Sequence, residues 1–328
     1  MGNRLMVGMT SDSMVSVVVP LCNEEANLPE LRARLTAALA HHEFECILVD
    51  DGSTDATSAM IRDVAREDPR FKVVSLSRNF GHQAAIFAGL TFARGACVVV
   101  MDGDLQDPPE VIPEMVRAWR KGAEVVYGVR TARKEGWFTR ATAAAFYRIQ
   151  ARLTRTRMPL DTGDFAAMDR RVVDLIVAIS ERHPYVRGLR SWVGFRQVAF
   201  PYERDRRHRG RPKYTVWKLL DLAVSGIVPF SVVPLRLVAL SGAAISALAL
   251  AAGLGVLLGW MPFVAGVVAA LAFLFGLQLL IIGLLGEYVG RVLEEVQNRP
   301  IFVVDEVVGV DPSQATGDRR RGGAPHTS

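Results

Sequence analysis

Short apolar runs alternate with longer amphipathic stretches along the amino-terminal part of the chain. The runs Val15–Pro20, Ile47–Val49 and Val73–Leu76 have the length of buried strands. Between the first two runs, leucines recur every three or four residues from Asn27 to Ala40, which predicts a helix with one apolar face. The chain is therefore predicted to begin with a strand, a helix and a second strand.

The same alternation continues toward the middle of the chain. Further helices are predicted from Asp55 to Arg66, Gln83 to Ala93, Pro109 to Arg120 and Phe138 to Arg155, and further strands over Cys97–Met101, Glu124–Val129 and Ile301–Val310. Repeated strand and helix units predict an α/β fold with a Rossmann-like, mainly parallel sheet and helices on both faces. The last of these strands is expected at an edge of the sheet.

Two long apolar stretches, Leu237–Leu258 and Pro262–Leu285, follow the α/β part. The first has 22 residues and no ionisable side chain. At about 1.5 Å per residue a helix of that length spans roughly 33 Å, enough to cross a bilayer, so the stretches predict a two-helix transmembrane hairpin. Before them, apolar residues from Thr215 to Ile227 share one helical face. They indicate either an interfacial amphipathic helix or a helix packed on the soluble domain.

These patterns divide the chain into five segments. A flexible N-terminus (1–13) precedes an α/β domain (14–214), an interfacial helix (215–232), two transmembrane helices (233–290) and a C-terminal segment (291–328), predicted to be disordered from about residue 311. Arg236 precedes the first span and Arg291 follows the second, whereas the link between them has no Lys or Arg. By the positive-inside rule, the α/β domain and both termini are predicted to be cytoplasmic, at the inner (plasma) membrane.

Charge and cysteine content add two constraints. The net charge of +5 includes basic clusters at Arg204–Lys213 and Arg319–Arg321, and beside membrane spans anionic lipid is a simpler partner for them than nucleic acid. The three cysteines, Cys22, Cys46 and Cys97, lie in or beside apolar runs without paired spacing. They are predicted to be small buried residues in a reducing compartment rather than zinc ligands.

Acidic side chains directly follow two of the predicted strands. Asp50 and Asp51 end the second strand, and Asp102 and Asp104 follow the fourth. Ligands of such sheets bind beyond the carboxyl ends of the strands, so these carboxylates are expected to converge. Hard oxygen ligands favour Mg²⁺ or Mn²⁺, and a cation held in this way can hold a diphosphate.

Four stretches carry a more specific signal. In chain order they are VVVPLCNEE, VDDGSTD, VVVMDGDLQDPPE and DTGDFAAMDR. Together they resemble the family-two nucleotide-sugar glycosyltransferases, and within them the branch of dolichyl-phosphate mannose synthases and bacterial polyprenyl-phosphate glucosyltransferases. The resemblance covers about Val15 to Pro300. It implies a GT-A fold in which one sugar moves, with inversion, from a nucleotide to polyprenyl phosphate.

The resemblance also implies roles for single residues on the donor side. Asp51 is expected to recognise the base, whereas Asp50 is interpreted as a turn-forming residue. Asp102 and Asp104 correspond to the family's metal and ribose-diphosphate pair, with Gln106 as a third polar ligand of the metal. The implied nucleotide-sugar-binding residues are Pro20, Asn23, Glu24, Asp51, Asp102 and Gln106.

On the acceptor side, Asp164 in the TGDF motif is expected to be a general base or a carboxylate that orients the acceptor. Asp161 is the other candidate for this role, or it is a residue that shapes the turn before Gly163. A phosphate monoester has a second pKa of about 6, so base catalysis contributes little to an acceptor that is already ionised. Asp164 and Asp104 are the catalytic residues that the resemblance implies. Ala166 departs from the family, which often has arginine there.

Basic residues are expected to contact the phosphates of donor and acceptor. Two lie just past the fifth strand, and others lie in the basic loop before the interfacial helix, which resembles a loop of the same branch. The implied phosphate-binding residues are Arg130, Arg133, Arg207, Lys213 and Tyr214. His82 ends the stretch Arg78–His82, which also resembles the family. It is interpreted either as part of that family-like stretch or as a cap of the next helix.

The sequence therefore predicts a membrane-anchored transferase that uses Mg²⁺ or Mn²⁺, with UDP-glucose as the first choice of donor. GDP-mannose and UDP-linked amino sugars stay open as donors, and a homo-oligomer stays open. A processive synthase is disfavoured, because the chain has no Gln-x-x-Arg-Trp motif and too few spans. The alternative from another class is a non-catalytic membrane protein that binds nucleotide sugars or lipid-linked sugars.

Overall fold

The computed structural model describes residues 14–130, 162–179, 181, 184–203, 245, 258, 263–297 and 299–310. The chain forms two units. One contains the α/β domain together with residues 300–310, and the other contains residues 263–297 among those described. Predictions for the N-terminus, the helix Phe138–Arg155, the interfacial helix and the segment after residue 310 lie outside the described residues, as do nearly all of the first apolar span and all of Asp161.

The described part of the α/β unit contains eight strands and six helices. The strands are β1 Val15–Leu21, β2 Phe44–Asp50, β3 Phe71–Leu76, β4 Cys97–Val100, β5 Val125–Arg130, β6 Thr162–Asp169, β7 Gln197–Tyr202 and β8 Val304–Val308. The helices are α1 Leu28–Ala38, α2 Thr57–Glu67, α3 His82–Phe92, α4 Ile112–Arg120, α5 Arg170–Ala178 and α6 Val186–Trp192, and a 3₁₀ turn, Pro109–Val111, precedes α4.

All eight strands form one sheet in the order β7-β5-β6-β4-β1-β2-β3-β8. The pairs β1–β2, β2–β3, β1–β4 and β5–β7 are parallel. The pairs β4–β6, β5–β6 and β3–β8 are antiparallel. The prediction of a mainly parallel sheet is therefore correct for the amino-terminal half, and the sheet as a whole is mixed.

Helices cover both faces of the sheet, as predicted. Along β1, Val17 and Val19 face the core under α1, α2 and α4, whereas Val18 faces the core under α3, α5 and α6. All seven residues of β1 are buried. This explains why the strand appears in the sequence as a continuous apolar run instead of an alternating one.

The edge strand predicted near the end of the chain is confirmed as β8. It pairs antiparallel with β3, and the backbone N–H of Ser77 donates to Val303 O at 2.9 Å. Phe302 and Val310 on either side of β8 are buried in the core. Residues from far beyond the α/β sequence thus complete its sheet.

Two strands and two helices of the carboxyl-terminal half were not predicted. The most important is β6, which includes the TGDF motif and lies in the middle of the sheet between β4 and β5. Its first residues, Thr162, Gly163 and Asp164, are polar or small, so hydrophobicity alone did not identify a strand.

The second unit is described mainly by one helix, α7 (Phe263–Val296). By length and composition, Phe273–Val296 is the one candidate for a membrane span among the described residues. The sequence pattern predicted that the second span ends at Leu285. The helix continues beyond that residue, through Gly286 and Gly290, to Val296. The two-helix hairpin therefore stays a prediction.

The cysteines differ from the prediction at one position. Cys46 and Cys97 are buried, and burial raises the pKa of both thiols, as expected for inert residues. Cys22 is exposed, which corrects the prediction that it is buried. It follows the last residue of β1, at the edge of the sheet where the loops meet solvent.

A buried polar network joins β1, β2 and β3 near the residues where these strands begin. Glu45 is 2% exposed and accepts hydrogen bonds from Ser16 Oγ at 2.6 Å and from the Arg94 backbone N–H at 2.7 Å. Lys72 Nζ donates to its other carboxylate oxygen. Burial alone would raise the pKa of the Glu45 carboxyl, but the bonds from Lys72, Ser16 and Arg94 lower it below its ordinary value.

We expect Glu45→Ala to lower the free energy of unfolding by about 3 kcal/mol, because it removes the acceptor of the Lys72 charge, the buried Ser16 hydroxyl and the Arg94 backbone N–H. Chemical denaturation at pH 7 measures this loss. The Glu45 contribution requires the ionised carboxylate, so it is present above the unfolded pKa, near 4.5. It is lost as the pH falls below that value, and the wild type and variant should then converge.

Glu67→Ala is the matched control, because the Glu67 side chain is 62% exposed where it pairs with Arg32. It should cost less than about 1 kcal/mol. Equal losses for the two variants would show that the Glu45 network does not stabilise the sheet.

Candidate functional site

The candidate site lies where the strand order changes direction. The strands run β3-β2-β1 on one side of this point, and β4 adds to the other edge of β1. Ligands of doubly wound sheets bind beyond the carboxyl ends of strands at such a point. The residues at the ends of β1 and β4 approach closely, since a Cβ added to Gly103 would lie 2.4 Å from Leu21 Cδ2.

Antiparallel pairing of β6 with β4 brings the TGDF motif to the same place. Val100 of β4 pairs with Ala166 of β6. Two residues onward from Val100 is Asp102, and two residues before Ala166 is Asp164. The predicted convergence therefore includes Asp164, although its strand enters the site by its amino end rather than by its carboxyl end.

His82 lies between these two carboxylates. Its Nε2 atom is 3.3 Å from Asp102 Oδ1 and 3.5 Å from Asp164 Oδ2. Burial alone would lower the pKa of the imidazole, but the two carboxylates raise the pKa of His82 to about 10. The cap interpretation is wrong, because Gly81 is the N-cap of α3 and His82 is the first residue of the helix. Its role was missed because both partners are distant in sequence.

Asp164 is held on one oxygen by two further donors. Its side chain is 8% exposed, and Oδ2 accepts from Gln83 Nε2 at 3.1 Å and from Arg187 Nη2 at 3.4 Å. Burial alone would raise the pKa of the Asp164 carboxyl, but His82 and Arg187 hold that pKa well below its usual range. An anion stabilised in this way is a weak proton acceptor at neutral pH.

Asp102 and Asp104 fit a cation that is shared with a diphosphate. Asp102 Oδ1 is buried and accepts no well-aligned hydrogen bond from the residues that the structure describes. Asp104 Oδ1 accepts from the Gln106 backbone N–H at 3.1 Å, in a turn where Leu105 has a φ of 59°. No group of three Asp, Glu, His or Cys side chains surrounds one point within the described residues. Mg²⁺ needs only one or two carboxylates when substrate phosphates and water complete its shell.

Asp51 holds a loop in the structure. Its Oδ1 accepts from the Phe80 backbone N–H at 2.7 Å, and its Oδ2 accepts from the Gly81 N–H at 3.0 Å. Gly52 has a φ of +66°, and a Cβ there would lie 2.5 Å from the Asn79 backbone nitrogen. This loop leads directly into α3 and His82. Base recognition by Asp51 stays a prediction.

Asp50 forms a turn, as predicted, because its Oδ1 accepts from the Ser53 backbone N–H at 3.0 Å. Asn23 has a φ of 59°, and its Oδ1 accepts from the Thr54 N–H at 2.7 Å. Glu24 Oε2 accepts from Asn27 Nδ2 at 2.6 Å. These side chains hold the loops after β1 and β2 around the site.

Pro20 is buried in β1 opposite Val49 of β2. It therefore supports the loop after β1 from within the sheet. Pro20, Asn23 and Glu24 lie at or just after the carboxyl end of β1, and their contact with the donor stays a prediction.

Most of the predicted phosphate-binding residues lie outside the described residues, namely Arg133, Arg207, Lys213 and Tyr214. Arg130 is the last residue of β5, opposite Tyr202 at the end of β7. Ala166, where the resemblance leads one to expect arginine, is 1% exposed between Val100 and Tyr127. A small side chain fits this position.

Helix α6 contributes two arginines that were not predicted. Arg187 contacts Asp164, and Arg190 is 1% exposed with its guanidinium 5.7 Å from the ring centre of Tyr127. Burial lowers the pKa of Arg190 to about 10, against the opposing effect of Asp164. The available signal was a pair of arginines three residues apart in a short, otherwise mainly apolar segment, Val186–Trp192.

Comparison with known proteins adds a family. The family described as Glycosyl transferase family 2 matches residues 16–176. The chain is 41% identical over 325 residues to the uncharacterized glycosyltransferase YkcC of Bacillus subtilis, covering 95% of this chain and 99% of that protein. It is 38% identical over 299 residues to the SfII prophage-derived bactoprenol glucosyl transferase of Shigella flexneri, covering 88% of this chain and 97% of that protein.

Among solved structures, the chain is similar to glucosyl-3-phosphoglycerate synthase from Mycobacterium tuberculosis, in complex with Mn²⁺, UDP-glucose and glycerol 3-phosphate. It is 23% identical, covers 68% of this chain and 83% of that chain, and has a TM-score of 0.44. A likeness at this level does not extend to substrate or metal.

We expect Asp51→Asn to release the loop before α3. An amide group can replace only one of the two acceptor oxygens, and a hydrogen bond to a charged group contributes about 1.5–3 kcal/mol. Hydrogen exchange in the peptide that contains Phe80 and Gly81 should become at least about tenfold faster.

Asp68→Asn is the control, since Asp68 caps the turn before β3 and pairs with Arg70. It should leave exchange at Phe80 and Gly81 unchanged. Unchanged exchange in Asp51→Asn as well would mean that the carboxylate does not hold this loop.

Proposed function

The chain belongs to glycosyl transferase family 2, and from this premise we propose that it transfers one glucosyl residue from UDP-glucose to polyprenyl phosphate, releasing UDP. The observation that carries the proposal is the convergence of Asp102 and Asp164 on His82 in a glycosyltransferase domain, with Asp104 two residues after Asp102. The bactoprenol glucosyl transferase similarity extends over 88% of the chain, well beyond the residues matched by the family.

On the donor side, the nucleotide is proposed to bind where β1 and β4 end, between the loops that Asn23, Glu24 and Asp51 hold. Asp102 and Asp104 would hold Mg²⁺ or Mn²⁺. When bound, the cation offsets negative charge on the departing diphosphate. Asn23 and Asp51 are held by backbone amides before any ligand binds, so this side of the crevice is already ordered.

On the acceptor side, Asp164 is proposed to orient the lipid phosphate and its cationic contacts rather than to remove a proton. A phosphate monoester with a second pKa near 6 is largely ionised at neutral pH and needs no base. The surroundings of Asp164 support this, because His82, Gln83 and Arg187 all face its Oδ2 atom. Arg187 also adds positive charge where two phosphates would meet.

Membrane attachment is proposed through α7 and a second span before it. Apolar side chains along α7 are exposed, for example Val268 at 61% and Phe275 at 64%. The parity of crossings supports a second span. Strands β1–β7 precede α7 and β8 follows it, yet all belong to one sheet. If α7 crosses the bilayer, the chain must cross it an even number of times, and Leu237–Leu258 is the proposed partner.

We expect the purified chain, given Mg²⁺ or Mn²⁺, polyprenyl phosphate and UDP-[¹⁴C]glucose, to move label into the organic phase. Chelation with EDTA should stop the transfer. Asp104→Asn should lower it by about a hundredfold or more, because the diphosphate loses an anchor for its cation. Asp63→Asn, on the exposed face of α2 with its side chain 67% exposed, is the control and should transfer normally.

Near-normal transfer by Asp104→Asn would remove this residue from the site. Label from GDP-mannose but not from UDP-glucose would change the assignment to a mannose synthase. Nucleotide binding without transfer from any donor would favour the non-catalytic sugar-binding membrane protein.

The even number of crossings is tested with alkaline phosphatase, which is active only outside the cytoplasm. Fusion after Met261, between the two proposed spans, should give high activity, and fusion after Ser328 should give background activity. High activity at both points would contradict a hairpin with both ends on the cytoplasmic side.

A further inference from the structure

We propose that Gln83 is a positioning residue that fixes Asp164 by tying it to the first turn of α6. Gln83 Nε2 donates to Asp164 Oδ2 at 3.1 Å, and Gln83 Oε1 accepts from the Val186 backbone N–H at 3.0 Å. One side chain on α3 therefore joins a carboxylate on β6 to the start of another helix. This inference rests on the proposed glucosyl transfer.

The two bonds require both ends of one amide group. The carboxylate of Asp164 can only accept, and the N–H of Val186 can only donate. A carboxylate, thioether or hydrocarbon of the same length satisfies at most one of the two partners. The orientation of the Gln83 amide is likewise determined, because the reverse assignment would place like groups together at both contacts.

The consequence for Asp164 is a division between its two oxygens. Oδ2 carries the contacts with Gln83, Arg187 and His82. Oδ1 is buried and has no hydrogen-bond partner within the described part of the chain. Burying a carboxylate oxygen without a hydrogen bond costs free energy, and a hydrogen-bonding group on the bound substrate would recover that cost. Gln83 thus determines which oxygen is left for that interaction and where it lies.

Arg187 depends on the same bond. It lies one residue after Val186 and reaches the oxygen that Gln83 contacts, at 3.4 Å. If the Gln83–Val186 bond is lost, the start of α6 and the Arg187 guanidinium lose a hydrogen bond that holds them relative to α3, and only the core packing of Val186 and Leu189 against α3 is kept. A single glutamine therefore positions both the anion and one cation on the acceptor side. The residues proposed to contact the nucleotide sugar, at the ends of β1 and β2, do not include Gln83.

This arrangement predicts a split between turnover and donor binding. In Gln83→Met, kcat for transfer should fall about ten- to a hundredfold, the equivalent of one hydrogen bond to a charged group. The KM for UDP-glucose should stay within about twofold. Hydrogen exchange in the peptide that contains Val186 should become faster.

Gln197→Met is the matched control. Gln197 Nε2 donates to Arg190 O at 2.9 Å and Gly194 O at 3.0 Å, so it holds the other end of α6 without touching Asp164. It should lower the melting temperature about as much as Gln83→Met while kcat stays near the wild-type value. Equal kcat losses in the two variants would reduce Gln83 to a stabilising contact and overturn the proposal.

Gln83→Glu separates the two bonds. It keeps an acceptor for Val186 but places a second carboxylate against Asp164, so kcat should fall while exchange at Val186 stays near wild type. Wild-type turnover in Gln83→Glu would overturn the proposal. An inactive wild-type protein would instead refute glucosyl transfer, and exchange at Val186 in Gln83→Met would then test the tie to α6 by itself, with an unchanged rate counting against it.

Discussion

Strands β4 and β6 lie side by side and run in opposite directions, and the site is built on that pairing. The end of β4 lies beside the start of β6, so Asp102 and Asp164 lie close together although α4 and β5 lie between them in the sequence. In a parallel β6, Asp164 would lie beside the start of β4, away from Asp102. The direction of one strand therefore determines whether Asp102 and Asp164 can meet.

Bringing carboxylates together requires positive charge nearby, and the fold supplies it from two helices. His82 begins α3, and Arg187 and Arg190 lie on α6, so the cations come from the face of the sheet covered by α3, α5 and α6. The guanidinium of Arg190 is buried without hydrogen bonds at Nε and Nη2 within the described residues. Removing a charge from water in this way is costly unless an anion is close. The cluster is thus balanced mainly by charges that are fixed in the fold.

The sequence predicted best what depends on local periodicity. Strands β1 to β5, helices α1 to α4 and the edge strand β8 follow from apolar runs and helical spacing, and the acidic strand ends were found for the same reason. The strand β6 was missed because its first residues are polar or small, so only its partners reveal it as a central strand. The contacts of His82 with Asp102 and Asp164 were not predicted, since a sequence shows neighbours along the chain and not across the sheet. Cys22 was expected inside because β1 is apolar, yet it lies just beyond the strand, where the loop turns to solvent.

The position of β8 has a consequence for how the protein is made. Until β8 is added, β3 is the last strand of the sheet, with one row of backbone groups open to any other strand. The ribosome reaches Val304–Val308 only after it has synthesised α7. The α/β domain is therefore discontinuous in sequence, and its sheet stays incomplete until residues beyond α7 have been synthesised. Its last strand arrives after the apolar helix, so completion of the sheet follows synthesis of α7.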